Sequence, residues 1–302
     1  MKILKKLFHK KCNHTCKNYD IEIMRYCAPE KLDLLLSDMF YRFTGKLATE
    51  TLTTFNEKLL WLAMFERTPL KEQCADKVRV REYVRETIGE EYLPKLYDVL
   101  VRGQDFCPDK YPDSFVLSYN AGSGQNIIVK NKNELDIAQT RKTINSWMLY
   151  NQAYTRGEMQ YYNIPPRVIV RELLDIRPDL EYKLFCFNGR VEHIEVVSFI
   201  RGHANTGTRY YNRNWEHMDC FRANEGWWPI LNEISRPNNL DLLLKLAEKL
   251  AKPFKFARVD FYELNSGDIK FGEITFTPCA GQLIYGPDNA KWQKYFGDKI
   301  QM

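Results

Sequence analysis

Apolar positions along this chain fall into two rhythms. Over 54–67 they recur at helical spacing, behind a Thr54 and Glu57 pair of the capping-box type and ahead of Pro69. Everything up to about Leu70 reads as helix. A second helix opens at Asp76-Lys77, carries Val80, Tyr83, Val84 and Ile88 along one side, and is closed by Gly89. Short extended runs follow at 92–97, 115–118 and 126–130, then a helix around 134–150 and an apolar strand at 167–174 that ends in charge. A hairpin turns at Asn188-Gly189 between 182–187 and 191–199, and a leucine-rich helix at 239–251 stops before Pro253. Strands that come as hairpins with helices between them predict an α+β fold with antiparallel sheets, not a doubly wound parallel one.

One hairpin joins this rhythm to chemistry. Arg258-Val259-Asp260-Phe261-Tyr262 and Phe271-Gly272-Glu273-Ile274-Thr275-Phe276-Thr277-Pro278 flank a turn at Asn265-Ser266-Gly267-Asp268. Alternation puts Arg258, Asp260 and Tyr262 on one face, and Glu273, Thr275 and Thr277 likewise share a face. A turn centred between Ser266 and Gly267 sets Asp260 opposite Glu273 and Arg258 opposite Thr275; a one-residue bulge would break that register. Two carboxylates in cross-strand register repel unless a cation lies between them. A divalent metal with oxygen ligands would supply it, and the neighbouring arginine suits a phosphate.

Composition narrows the class without naming it. The chain has 302 residues, 44% hydrophobic and 27% charged, which is enough for one large domain or two lobes. No apolar run approaches the roughly 20 residues of a membrane span. The net charge of +5 is mild and dispersed, so it calls for no nucleic acid partner and suits small anions or anionic glycans as well. Eight scattered cysteines form no disulfide framework, which fits reduced thiols in the cytoplasm. His9, Cys12, His14 and Cys16 cluster, but their C-x3-C spacing lacks the second pair of a zinc site. The first eleven residues are basic and amphipathic, with Ile3, Leu4, Leu7 and Phe8 at helical spacing, so the stretch reads either as a peripheral contact with an anionic inner membrane face or as a solvated helix start.

Between two strand-like runs lies Tyr119-Asn120-Ala121-Gly122-Ser123-Gly124-Gln125. Its glycines and serine suit a loop that offers backbone N–H groups to phosphate oxygens, although the strand–loop–helix setting of a P-loop is missing. Taken alone, the segment reads better as a mobile hairpin turn.

In order along the chain, these segments resemble the TupA-like ATP-grasp family. The resemblance rests on Thr54-Phe55-Asn56-Glu57-Lys58 with Trp61, Ala75-Asp76-Lys77 with Arg81-Glu82-Tyr83-Val84, and Phe115-Val116-Leu117. It continues through Gly122-Ser123-Gly124 with Asn126-Ile127-Ile128-Val129, Tyr182-Lys183 with Phe185-Cys186-Phe187-Asn188-Gly189, Arg258-Val259-Asp260 and 272–278. It implies two lobes with antiparallel sheets clasping ATP: a helical region at 1–75, a small lobe with the glycine-rich flap at 76–170, and a large lobe with the metal strands at 171–302. Asp260, Glu273 and Thr275 would then hold Mg²⁺, and Arg258, with Lys183 beside it, would serve the transferring phosphoryl group. Lys77, Ser118, the Gly122-Ser123-Gly124 flap, and Glu172 and Leu174 of the hinge strand would contact the nucleotide. Three positions depart from the family pattern. Ser118 stands where a phosphate-side lysine is usual, Ala121 where a histidine is common, and Thr275 where ATP-grasp enzymes at large often carry asparagine.

The function implied is ligation of a carboxylate to an amine through an acylphosphate. The family's setting suggests a uronic acid of a bacterial capsule or cell-wall polysaccharide as carboxylate and an amino acid or amine as partner. Arg201, His203, Arg209 and Arg213 form a polar, cationic segment that would suit an anionic acceptor. Other readings stay open at this level: a phosphotransferase, a nucleotide- or glycan-binding protein with a degraded site, or a glycosyltransferase. His193 reads as structural.

Overall fold

The structure, a computed structural model, describes residues 31–198, 207–223 and 232–302. The basic N-terminal stretch, the His9-Cys12-His14-Cys16 cluster, Arg201 and His203 lie outside the described residues.

Four helices lead the described chain: α1 (Leu32–Thr44), α2 (Phe55–Phe65), α3 (Pro69–Ala75) and α4 (Val80–Thr87). The capping box at α2 is formed as expected. The Thr54 side chain accepts from the Glu57 N–H, and the Glu57 carboxylate accepts from the Thr54 N–H. A small antiparallel sheet follows, built from β1 (Leu96–Leu100), β2 (Phe115–Tyr119), β3 (Asn126–Val129) and β4 (Val168–Arg171) in the order β1-β4-β2-β3. Helices α5 (Ile137–Trp147) and α6 (Gln152–Arg156) span the connection from β3 to β4. The strand expected at 92–97 begins at Leu96 instead, because Gly89 turns the chain at a φ of 123° into a single 3₁₀ turn over Glu90–Tyr92.

The larger sheet has the order β10-β9-β5-β6-β7, and every pairing is antiparallel. Its strands are β5 (Ile176–Phe187), β6 (Arg190–Ser198), β7 (Gly207–Asn212), β9 (Phe256–Leu264) and β10 (Ile269–Thr275), while β8 (Phe221–Arg222) pairs with β11 (Tyr285–Gly286). Asn188 and Gly189 turn β5 into β6 with φ values of 49° and 79°, the left-handed pair that a two-residue hairpin loop needs. Helix α7 (Leu240–Ala251) lies on the face formed by Val259, Phe261, Leu184 and Ile194, burying Leu243, Leu246 and Leu250. Each such leucine contributes about 2 kcal/mol of burial.

The opposite face carries Arg258, Asp260, Tyr262, Lys183 and Glu195. One end of it is closed by an aromatic cluster in which Phe55 of α2 and Phe296 of α8 (Asn289–Lys299) meet Phe185, Phe187 and Phe256. The leading helices and the C-terminal helix thus share a core with the large sheet. His193 is fully buried here, its ring 4.1 Å from that of Phe185 and 4.2 Å from that of Phe296, and burial pushes its pKa well below the usual value. The small sheet ends at Arg171 and the large one begins at Ile176.

Candidate active site

The 258–277 hairpin forms with the expected pairing, by a different route. Glu273 pairs with Asp260 and Thr275 with Arg258. The turn is a three-residue loop, with Gly267 at φ +87°, so the pairing next to it is shifted by one residue from the expected register. A bulge between Phe271 and Glu273 then inserts one extra residue and restores the register at the carboxylates. Gly272 fills the bulge because a Cβ there would sit 3.0 Å from the Asp260 carbonyl oxygen.

The cation expected between the carboxylates comes from the chain itself. Arg258 grips Asp260 with both arms, Nε to Oδ1 at 2.7 Å and Nη2 to Oδ2 at 2.6 Å. Its Nη2 also donates to Glu273 Oε1 at 3.0 Å and Thr275 Oγ1 at 3.1 Å, while Thr275 donates to Glu273 at 2.8 Å. From the next strand, Lys183 Nζ donates to Asp260 Oδ2 at 2.9 Å and lies 2.8 Å from Glu181 Oε2. Such a bidentate, buried network fixes the geometry of every member.

Position decides how each group titrates. Burial alone would raise the Glu273 pKa, yet Lys77, Arg258 and Lys183 together hold it at about 2. Burial likewise opposes the charge of Lys183, but Asp260 and Glu181 raise its pKa above the ordinary lysine value. Glu181 goes up, because burial outweighs the pull of Lys183. Lys77 goes down, with burial stronger than the attraction of Glu273.

The small sheet and α4 supply the other wall. A cavity between the sheets is lined by Lys77, Arg81, Ser118, Asn126, Arg171, Tyr161, Tyr262 and Glu273, among others. Lys77 lies 3.9 Å from Glu273 Oε2 and donates to the Gly122 carbonyl at 2.6 Å, so the glycine-rich loop is tied to β10. Ser123 and Gly124 form the exposed tip, with Gly124 at φ +83°. Ser118 is buried against the cavity, and its hydroxyl has no hydrogen-bond partner.

Four residues expected to contact ligands stand apart from the cavity lining. The Glu172 carboxylate accepts from the Lys95 N–H, tying β4 to β1, and neither Glu172 nor Leu174 lines the cavity. Arg209 sits on β7 opposite Val196, on the face that α7 covers, because alternation from Tyr210 turns it away from Asp260. Arg213 pairs with Glu248 of α7. The sequence reading in turn passed over Glu181 and Arg171. Glu181-x-Lys183 is an alternation signal for a shared face, but it points to the site only once β5 is known to pair with β9.

An all-oxygen set of two carboxylates and a hydroxyl suits Mg²⁺, which keeps several waters and shares its shell with phosphates. Among the described residues no group of three or more His, Cys, Asp or Glu could hold a metal ion. A third of the Glu273 side chain stays open, whereas Asp260 is closed off by Arg258 and Lys183. The residues fit the metal, with Glu273 as the accessible ligand.

Solved structures similar to this one include an L-amino acid ligase from Bacillus licheniformis, at 10% identity and a TM-score of 0.49, covering 85% of this chain and 57% of that one. Another is a D-alanine–D-alanine ligase from Bacillus anthracis complexed with ATP, at 18% identity and a TM-score of 0.46, covering 75% of this chain and 64% of that one. This chain therefore spans less than two thirds of either structure's length. No curated protein matches it. Among the described residues no helix is long and apolar enough to cross a membrane. The family profile of the TupA-like ATP-grasp proteins matches residues 57–301, taking in both sheets and the whole Arg258–Asp260–Glu273 row, and the chain belongs to that family.

Proposed function

We propose that the chain is an ATP-dependent carboxylate–amine ligase. The observation that carries this reading is the buried row of Lys183, Asp260, Arg258, Glu273 and Thr275, facing a cation-lined cavity beside a glycine-rich flap. A carboxylate oxygen of the first substrate attacks the γ-phosphorus, ADP leaves, and an acylphosphate forms. The amine nitrogen then attacks the acyl carbon, inorganic phosphate leaves, and the nitrogen loses its extra proton to solvent, giving an amide.

Arg258 is held by three side chains before any ligand arrives, so it is a preorganised cation for charge on the transferring phosphoryl group and on the tetrahedral intermediate. Lys183 keeps its proton, by virtue of Asp260 and Glu181, and serves as a second fixed cation. Lys77 links the flap to Glu273 and would close the loop over bound phosphates. Asp260, Glu273 and Thr275 would hold Mg²⁺, which supplies neutralisation of phosphate charge when bound.

The carboxylate we assign is a uronic acid of a bacterial capsule or cell-wall polysaccharide and the nucleophile an amino acid or amine. The support for that substrate pair is family association alone. The reaction would run in the cytoplasm, with the basic N-terminus as a contact for the inner membrane face. The test is incubation with Mg²⁺-ATP and panels of uronic acids and amines, following ADP and phosphate. ADP release that needs both co-substrates is expected. A stable phosphorylated product would make the protein a phosphotransferase, and absence of ATP binding by calorimetry would overturn both.

A further inference from the structure

Among the described residues, two cations of the cavity, Arg81 and Arg171, stand outside the ionic row, and Arg81 donates to the Pro94 carbonyl. Arg171 ends β4 and lines the cavity, half-buried, and among the described residues its guanidinium has neither a hydrogen-bond acceptor nor a salt-bridge partner. Ser118 lines the same cavity with an orphaned hydroxyl. The two share a face of the small sheet. Ser118 pairs with Ile169 and Val116 with Arg171, so Arg171 and Ser118 are diagonal neighbours on adjacent strands. Diagonal neighbours lie roughly 7–8 Å apart, within reach of a long side chain.

Charge shows what is missing. The lining side chains include Lys77, Arg81 and Arg171 as cations against Glu273 as the only acid. Burial lowers the proton affinity of Lys77 and Arg81, and Arg171 adds to that as a neighbouring cation in both cases. A half-buried guanidinium set among like charges, with no acceptor, is a cost that a bound anion would repay.

We infer that Arg171 is a phosphate-binding residue of the nucleotide cavity, donating with the Ser118 hydroxyl to one phosphate group of ATP. This rests on the ligase reading above, and it adds a positioning residue that neither the motifs nor the metal strands contain. Because the Arg171 side chain has no hydrogen bond or ion pair among the described residues, its removal is expected to leave the fold intact and to relieve repulsion on Lys77 and Arg81.

The experiment is calorimetry of the full chain with Mg²⁺ and, separately, ATP, ADP, adenosine and inorganic tripolyphosphate. The variants are Arg171→Ala, Arg171→Lys, Ser118→Lys, and the double variant Ser118→Lys with Arg171→Ala. Loss of a charge-assisted hydrogen bond is expected to weaken ATP, ADP and tripolyphosphate about tenfold or more in R171A and to leave adenosine unchanged. A lysine at 118 places a cation on the same patch, so the double variant is expected to regain most of the loss. The thermal midpoint of R171A should equal or exceed that of the parent. An R171A protein that binds ATP within twofold of the parent overturns the inference. So does equal loss of ATP and adenosine, or a double variant no better than R171A. A parent protein that binds no nucleotide overturns the ligase reading together with it.

Discussion

Asp260 and Glu273 face each other across one hairpin, and both should be indispensable to turnover, yet the structure predicts unequal losses of stability when each loses its charge. Asp260 is fully buried and anchors two cations, Arg258 at 2.7 and 2.6 Å and Lys183 at 2.9 Å. Removing one partner of a buried ion pair costs about 3–5 kcal/mol. Each cation keeps a second carboxylate, Glu273 for Arg258 and Glu181 for Lys183, so Asp260→Asn is expected at the low end, about 3 kcal/mol. Glu273 is a third open and accepts from Arg258 and Thr275, and a glutamine keeps an oxygen in that place. Glu273→Gln should therefore cost only about 1 kcal/mol. Urea unfolding followed by tryptophan fluorescence reads the stabilities, and ADP release reads turnover, which should fall at least about a hundredfold in both variants. The reasoning fails if Glu273→Gln unfolds as early as Asp260→Asn, or if either variant turns over normally.

Two further perturbations test the surroundings of the site. Glu158 is buried behind the site beside Gln160, which donates to Thr277, and burial raises its pKa from 4.5 to about 7 against the pull of Gln152, Thr277 and Arg156. The folded protein then holds a proton that the unfolded chain releases, so this group's stabilisation is complete below pH 4.5 and fades as pH rises through about 7. It amounts to about 3 kcal/mol. Glu158→Gln should flatten the pH dependence of unfolding across that window, and an unchanged slope between pH 5 and 8 would refute it. Gly272→Val would press a side chain against the Asp260 carbonyl and, at 3.1 Å, the Tyr262 ring. It should cost about 1–3 kcal/mol and lower turnover, with Gly272→Ala milder in both; a fully active valine variant would show that the bulge does not set the register.

Local chemistry made much of this molecule legible. The Thr54–Glu57 capping box, the Asn188-Gly189 turn and the β9–β10 pairing depend on residues close in sequence, and each formed. The register shows how a correct pairing arises from two compensating shifts. Apolar residues at Ile269, Phe271, Ile274 and Phe276 are spaced two, three and two, and that odd step is the signature of the bulge at Gly272. Strand β7 was not legible as a strand, because Arg209 and Arg213 made 201–213 read as a polar, cationic segment, while pairing with β6 lets Arg209 lie half-buried. The partner that Glu172 takes was not legible either, for a related reason. A charge at a strand end offers several partners, and the one it takes, the Lys95 N–H, is 77 residues away. Sheet order brings β5 beside β9, and only that order makes Glu181 and Lys183 part of the site.

The ionic row also bears on how fast the protein meets its ligand. Lys77, Arg258 and Lys183 stand against Asp260, Glu273 and Glu181, cation for carboxylate. A cluster balanced in this way casts almost no field beyond its own dimensions, so it does little to draw a polyanion out of solution. Capture falls to Arg81 and Arg171, whose charges no carboxylate of the cavity answers. Salt should then slow nucleotide arrival by screening those two guanidinium groups, while the balanced row, open to solvent in part at Glu273 and Lys77, would govern how long the nucleotide stays.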